Sequence, residues 1–189
     1  DKSALDKAEQ ELKRQYVARG KYGVKVNATV TELERNRVAI VFNVVEGETS
    51  KIREINIIGN QAFSEKKLKG LMQLGTPNWI SWFTKNDQYS KQKLSADLEI
   101  LRSFYLDAGY LEFSIDSTQV SITPDKEHIY ITINLSEGAK YTVSDIKVSG
   151  PENILSHVET RKLVKVQAGD VFSRKELTDS SKKIGDRLG

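Results

Sequence analysis

At 189 residues, with 38% apolar and 29% charged, the chain is sized for one or two modest hydrophobic cores. A formal net charge of +3, with both signs interspersed, describes a solvated surface and not a nucleic-acid stripe, and no apolar run nears the roughly 18 residues of a membrane-spanning helix. The absence of cysteine excludes disulfides, thiolate metal sites and cysteine nucleophiles.

Ser3 followed by Asp6 is a loose capping box, and Leu5, Ala8, Leu12 and Tyr16 recur at helical spacing up to Gly20. From Tyr22 the period becomes two, with Tyr22, Val24, Val26, Ala28 and Val30 alternating with polar residues. A polar turn over Glu32 to Arg37 leads to a second alternating run, Val38, Ile40, Phe42 and Val44, which predicts a hairpin closed by Glu46-Gly47.

Ile52, Ile55, Ile57 and Ile58 then form a short β-branched strand ended by Gly59-Asn60. Ser64 is placed to cap a helix carrying Leu68, Leu71 and Leu74, stopped at Gly75-Thr76-Pro77. Asn78 to Gln88 is a loop dense in aromatics, and Leu94, Leu98, Leu101 and Tyr105 place a second helix before Gly109. A strand from Leu111, a turn at Thr123 to Lys126 and the alternating strand Ile129, Ile131, Ile133, Leu135 end at Glu137-Gly138. Val143, Ile146 and Val148 before Gly150 restart the pattern with a further first strand. Helices follow over about 153–165 and from Ser173.

These segments repeat. Glu46-Gly47 and Glu137-Gly138 lie 91 residues apart, as do Gly59 and Gly150, and Leu5, Leu12, Tyr16 and Gly20 match Leu94, Leu101, Tyr105 and Gly109 at an offset of 89. One whole β-α-α-β-β unit therefore sits between two partial copies: residues 1–47 are the C-terminal half of a unit, 48–138 a complete unit, and 139–189 the N-terminal half of another. The fold class is α+β, each unit a three-stranded mixed sheet covered on one face by two helices, with a free edge.

A tandem unit of this kind, with Glu-Gly before each first strand and Gly-Asn after it in the central unit, resembles the POTRA (polypeptide-transport-associated) domain. The runs Ile55 to Asn60, Leu98 to Asp107 and Asp116 to Lys126 are similar to those of the BamA family of outer-membrane assembly factors, over the end of a second, the whole of a third and the start of a fourth such domain. The resemblance implies a non-enzymatic, chaperone-like scaffold at the periplasmic face of the bacterial outer membrane. Its implied partners are a BamB-like lipoprotein, other assembly-machinery subunits and unfolded outer-membrane proteins. It implies no nucleic acid, and membrane contact only through a barrel outside these residues. The alternative is a POTRA array of another transporter, such as a two-partner secretion pore. A KH-type RNA-binding module shares the β-α-α-β-β core, but its Gly-x-x-Gly clamp has no counterpart in Gly75 to Tyr89 and the charge is too balanced.

Two stretches are candidate partner sites. Leu111, Phe113 and Ile115 are apolar at odd positions, Val120 and Ile122 at even ones, so the strand switches phase and a β-bulge is expected between Asp116 and Gln119. Such a bulge either spoils edge pairing as a guard against aggregation or re-aims the edge to accept an extended peptide across Asp116, Ser117, Thr118, Gln119, Val120, Ser121 and Ile122. Family behaviour favours the second. Trp79, Ile80, Trp82 and Phe83 are the other candidate. The commoner fate of such a loop is to fold its aromatics back over a small core, with docking as the alternative. Gly47 and Gly138, in short connectors, are expected hinges with limited bending. His128 and His157 fall in different units without paired ligands, and no nucleophile elbow or phosphate loop occurs. No metal, cofactor or catalytic residue is expected.

Overall fold

The computed structural model describes residues 2–150 and 155–188. Helix α1 (Lys2–Ala18) packs on an antiparallel hairpin of β1 (Lys25–Leu33) and β2 (Arg37–Val45), in register from Lys25 opposite Val45 to Leu33 opposite Arg37. Ser3 lies inside α1 and not ahead of it, so the expected capping box is not formed at that position. Tyr22 and Val24 precede the strand and serve the joint with the next unit, where Val24 is buried and the Tyr22 and Tyr89 rings lie 6.0 Å apart.

The central unit runs β3 (Lys51–Ile58), α2 (Glu65–Leu71), a short α3 (Ser81–Thr84), α4 (Lys91–Asp107), β4 (Ser114–Ile122) and β5 (His128–Ser136). Its strand order is β3-β5-β4, with β3 parallel and β4 antiparallel to β5. The last strand in sequence is thus the middle one in space. Its odd residues, Ile129, Ile131, Ile133 and Leu135, form the floor of the core. Ile52, Ile55 and Ile57 join them from β3, Leu68 from α2, and Leu94, Leu101 and Tyr105 from one stripe of α4.

Ser64 and Ser90 cap α2 and α4, each accepting from a backbone N–H three residues on. Helix α2 ends at Leu71, earlier than Gly75, because Asp97 of α4 captures the next amides. Its carboxylate accepts from Gln73 N at 2.7 Å and Leu74 N at 2.9 Å. A second link gives Glu137 and Tyr105, the tyrosine four residues before Gly109, a shared role in the central unit. Glu137 accepts from the Tyr105 hydroxyl at 2.7 Å and from the Gln61 and Ala62 amides at 3.0–3.1 Å, tying α4, the β3 exit and the β5 exit together.

Burial first, then the Glu137 carboxylate, pushes the Tyr105 phenol well above its usual pKa. A raised tyrosine value contributes stability that is complete below the ordinary tyrosine pKa and declines as pH climbs toward the raised one. Denaturant titrations from neutral to alkaline pH are therefore expected to show a smaller loss of stability for Tyr105→Phe than for the wild type. Equal losses contradict this role.

Beyond Gly138 come α5 (His157–Leu163) and α6 (Arg174–Leu188). Val143, Ile146 and Val148 do not form the expected strand. Among the described residues this run makes one β-bridge, Thr142 to Val171, and Val143 exchanges backbone bonds with the loop there, donating to the Asp170 carbonyl at 2.8 Å and accepting from the Gly169 amide at 2.7 Å. The helix expected over 153–165 is shorter, starting after Ser156 in a capping box with Glu159; the start expected at Asn153 lies outside the described residues.

Candidate functional site

The two edges of the central sheet differ. Along the outer side of β3, the Ile52 amide donates to the Asp87 carbonyl at 2.8 Å, Lys51 bridges Gln88, and the Ile57 amide donates to Glu65 Oε1 at 3.2 Å. That edge is closed by the protein's own loop and side chain. On the other side, β4 has β5 as its sole neighbour, and no hydrogen bond among the described residues engages its outer edge.

The expected bulge is present, one position earlier than the phase switch implies. Ile115 pairs with Leu135 and Ser117 with Asn134, which leaves Asp116 as the extra residue. The phase argument itself holds: Ile115, Thr118, Val120 and Ile122 oppose Leu135, Ile133, Ile131 and Ile129 on the helix-covered face. The extra residue is an aspartate because its carboxylate can hold the irregular backbone. Asp116 accepts from Ser136 Oγ at 2.6 Å and Ser114 Oγ at 2.7 Å, and these bonds lower its pKa below the usual carboxylate value. Asn134 Nδ2 adds a 2.8 Å bond to Ser117 Oγ.

Hydrogen-bond alternation settles which backbone groups are open. The Thr123 amide donates to the His128 carbonyl at 3.0 Å, closing the ladder at the turn. Counting back by twos, Ser121, Gln119 and Ser117 direct N–H and C=O at β5, whereas Ile122, Val120 and Thr118 present theirs outward. The side chains of Val120 (38% exposed) and Ile122 form an apolar ledge beside that open backbone.

The aromatic loop contradicts the expected inward folding. Trp79, Trp82 and Phe83 are 84%, 82% and 75% exposed, and Ile80 is 42% exposed. The inward position is taken by Ser81, whose hydroxyl lies 2.7 Å from Asn86 Oδ1 and 2.9 Å from the Asn78 amide. Asn78 Oδ1 also accepts from the Ile80 and Ser81 amides at 2.9 and 3.0 Å, which starts α3. A polar hub thus holds the loop from inside and turns its rings out, with the Trp82 and Phe83 centroids 5.0 Å apart. Among the described residues no helix is long and apolar enough to cross a membrane.

A family model described as POTRA, surface antigen variable number repeat, matches residues 1–47, 50–138 and 141–189. The chain belongs to the POTRA family. It is 32% identical over 189 residues to the outer membrane protein assembly factor BamA of Neisseria meningitidis serogroup B, covering 100% of this chain and 24% of that protein. With BamA of Buchnera aphidicola subsp. Acyrthosiphon pisum it shares 33% identity over 154 residues, 80% of this chain and 24% of the relative. The chain spans about a quarter of the length of these curated relatives. The crystal structure of Haemophilus influenzae BamA POTRA3-5 has the same fold at TM-score 0.56 and 18% identity, over 98% of this chain and 69% of that one.

The POTRA units join by a repeated bond. The Ser50 amide donates to the Gly20 carbonyl at 3.2 Å, and the Tyr141 amide donates to the Gly109 carbonyl at 2.8 Å. Gly47 and Gly138 both hold positive φ, 68° and 71°. Side chains brace each joint: the buried Ser50 hydroxyl donates to the Lys126 carbonyl, and the Tyr141 hydroxyl to Glu112 Oε1 at 2.8 Å. At the second joint Asp107 Oδ1 accepts from the Lys175 amide at 2.9 Å, at the start of α6.

His128 does have acidic neighbours, contrary to expectation. Its ligand atoms and those of Asp125 and Glu127 lie within 4.8 Å of one another at the POTRA hairpin turn. Asp125 is already committed there, accepting from Thr123 Oγ1 and the Glu127 amide, so the cluster reads as turn chemistry.

Two of the structure's strongest side-chain links, Asp97 and Glu137, were not singled out as interactions in the sequence. Asp97 had a signal: it falls on the same helical stripe as Leu94 and Leu101, where a surface acid does not belong.

Proposed function

We propose that this POTRA array is part of a BamA-type factor for outer-membrane β-barrel assembly, a non-enzymatic scaffold at the periplasmic face. Its units divide at 47/48 and 138/139, and Gly47 and Gly138 are the points of limited bending. Partners are accessory lipoproteins of the BamB kind, other subunits of the machinery and unfolded outer-membrane proteins. They bind by adding a strand to β4 across Asp116 to Ile122. The observation that carries this reading is the asymmetry of the sheet: β3 is closed by Asp87, Gln88 and Glu65, while Thr118, Val120 and Ile122 offer outward amides and carbonyls. Main-chain bonds of that kind give affinity with little demand on the client's sequence.

The alternation supplies the test. Val120→Pro removes an outward donor that the monomer does not use, so stability is expected to change little while binding of an extended barrel-strand peptide weakens. Gln119→Pro removes a donor aimed at β5 and is expected to cost about 1–2 kcal/mol of stability. Peptide affinity and chemical denaturation are measured on both variants. Wild-type affinity in a stably folded Val120→Pro variant sinks strand addition at this edge.

A further inference from the structure

Strand addition leaves the ring cluster on α3 without a task. We propose that this knob docks onto an anionic lipid surface, with Trp79, Trp82 and Phe83 entering the headgroup layer and lysines around them meeting lipid phosphate. This departs from the expectation that membrane contact comes only through a barrel, and it stands independently of the β4 edge.

Two observations favour a lipid surface over a folded protein. The rings form a projecting knob: at 75–84% exposure they touch little of their own unit, yet the Ser81–Asn78–Asn86 hub fixes the backbone beneath them. Rigid presentation of tryptophan and phenylalanine, whose bodies are apolar, suits the boundary between water and acyl chain.

Charge is the second. Between Pro77 and Lys93 the cations are Lys85, Lys91 and Lys93, and the one acid is Asp87. Asp87 is 3% exposed and lies 3.3 Å from Lys51 Nζ, so it presents no negative field outward. Lys85 is the C-cap of α3, and Lys93 Nζ donates to its carbonyl at 3.2 Å, which brings a second ammonium to the same loop. Cations flanking exposed rings match an anionic headgroup plane.

Trp79 and Trp82 are the chain's two tryptophans, so selectively excited tryptophan fluorescence reports on this loop alone. Titration with phosphatidylglycerol vesicles is expected to shift the emission to the blue, and bromine atoms high on the acyl chains to quench it. Phosphatidylcholine vesicles are expected to give a much weaker response. Trp82→Ala with Phe83→Ala, at exposed positions that leave the fold unchanged, is expected to lower vesicle partitioning about tenfold or more. Lys85→Ala and Lys91→Ala are each expected to lower it about fivefold. The quenching arm uses the wild-type chain and needs no variant. Absent quenching, equal partitioning of the ring variant, or equal affinity for neutral vesicles overturns the proposal. An emission shift caused by an unfolded barrel peptide but not by vesicles overturns it in favour of a protein contact.

Discussion

Gly59→Ala is expected to destabilise the central unit strongly. Gly59 ends β3 at φ +97°, a conformation that side chains disfavour, and a Cβ placed there falls 2.0 Å from the Leu135 carbonyl oxygen. Leu135 cannot retreat. It is buried in the central strand, two residues before Glu137, whose carboxylate is itself fixed by Tyr105, Gln61 and Ala62. Relief therefore requires parting β3 from β5 near its end. A cost of at least about 3 kcal/mol is expected from strain and displaced ladder bonds together, against a domain stability on the order of 5–15 kcal/mol. The repeat provides the control: Gly150, 91 residues on, also has positive φ, but an added Cβ meets nothing within 4 Å, so Gly150→Ala is expected to cost far less. Equal denaturation midpoints for the two variants contradict the steric account.

Asp97→Ala is expected to cost about 3 kcal/mol, because it orphans two amides, each worth roughly 1–3 kcal/mol when buried without a partner. Asp97 is 0% exposed, and Gln73 and Leu74 have its carboxylate as their acceptor just where α2 stops. Burial raises the Asp97 pKa despite those two bonds, so the native state holds the proton more tightly than the unfolded chain. Stability from this group therefore falls as pH rises from the ordinary carboxylate value through the raised one, and is level above it. Asp97→Asn keeps the shape and cannot titrate. The gap between wild type and Asp97→Asn is accordingly expected to narrow as pH rises through that window. A gap that widens, or an alanine variant as stable as wild type, refutes the account.

Periodicity made most of the fold legible. Alternation placed β1, β2 and β5, the leucine stripe placed α4, and the offsets of Glu-Gly and Gly placed the repeat. What failed has a common cause: a sequence pattern reports a residue's preference, not its partner. Val143, Ile146 and Val148 carry the pattern of β3, but Val143 bonds to the loop at Gly169 and Asp170 and no strand forms over the run. Trp79, Trp82 and Phe83 look like core residues, yet Ser81, Asn78 and Asn86 satisfy the loop from inside and leave the rings outside. The bulge was visible as a phase switch. Its position at Asp116 was fixed by two serine hydroxyls, one of them across the strand pair on Ser136, which no local window contains.

The parallel pairing of β3 with β5 also dictates an order of assembly. Lys51 aligns with His128, so the first strand of the unit cannot be stitched into its sheet until the last has been made. Closure must span nearly the whole module, an arrangement that slows folding and forbids a stable half-formed sheet along the way. A chain emerging from its N-terminus would then complete these modules one by one, each locking only when its final strand slides between its first and second.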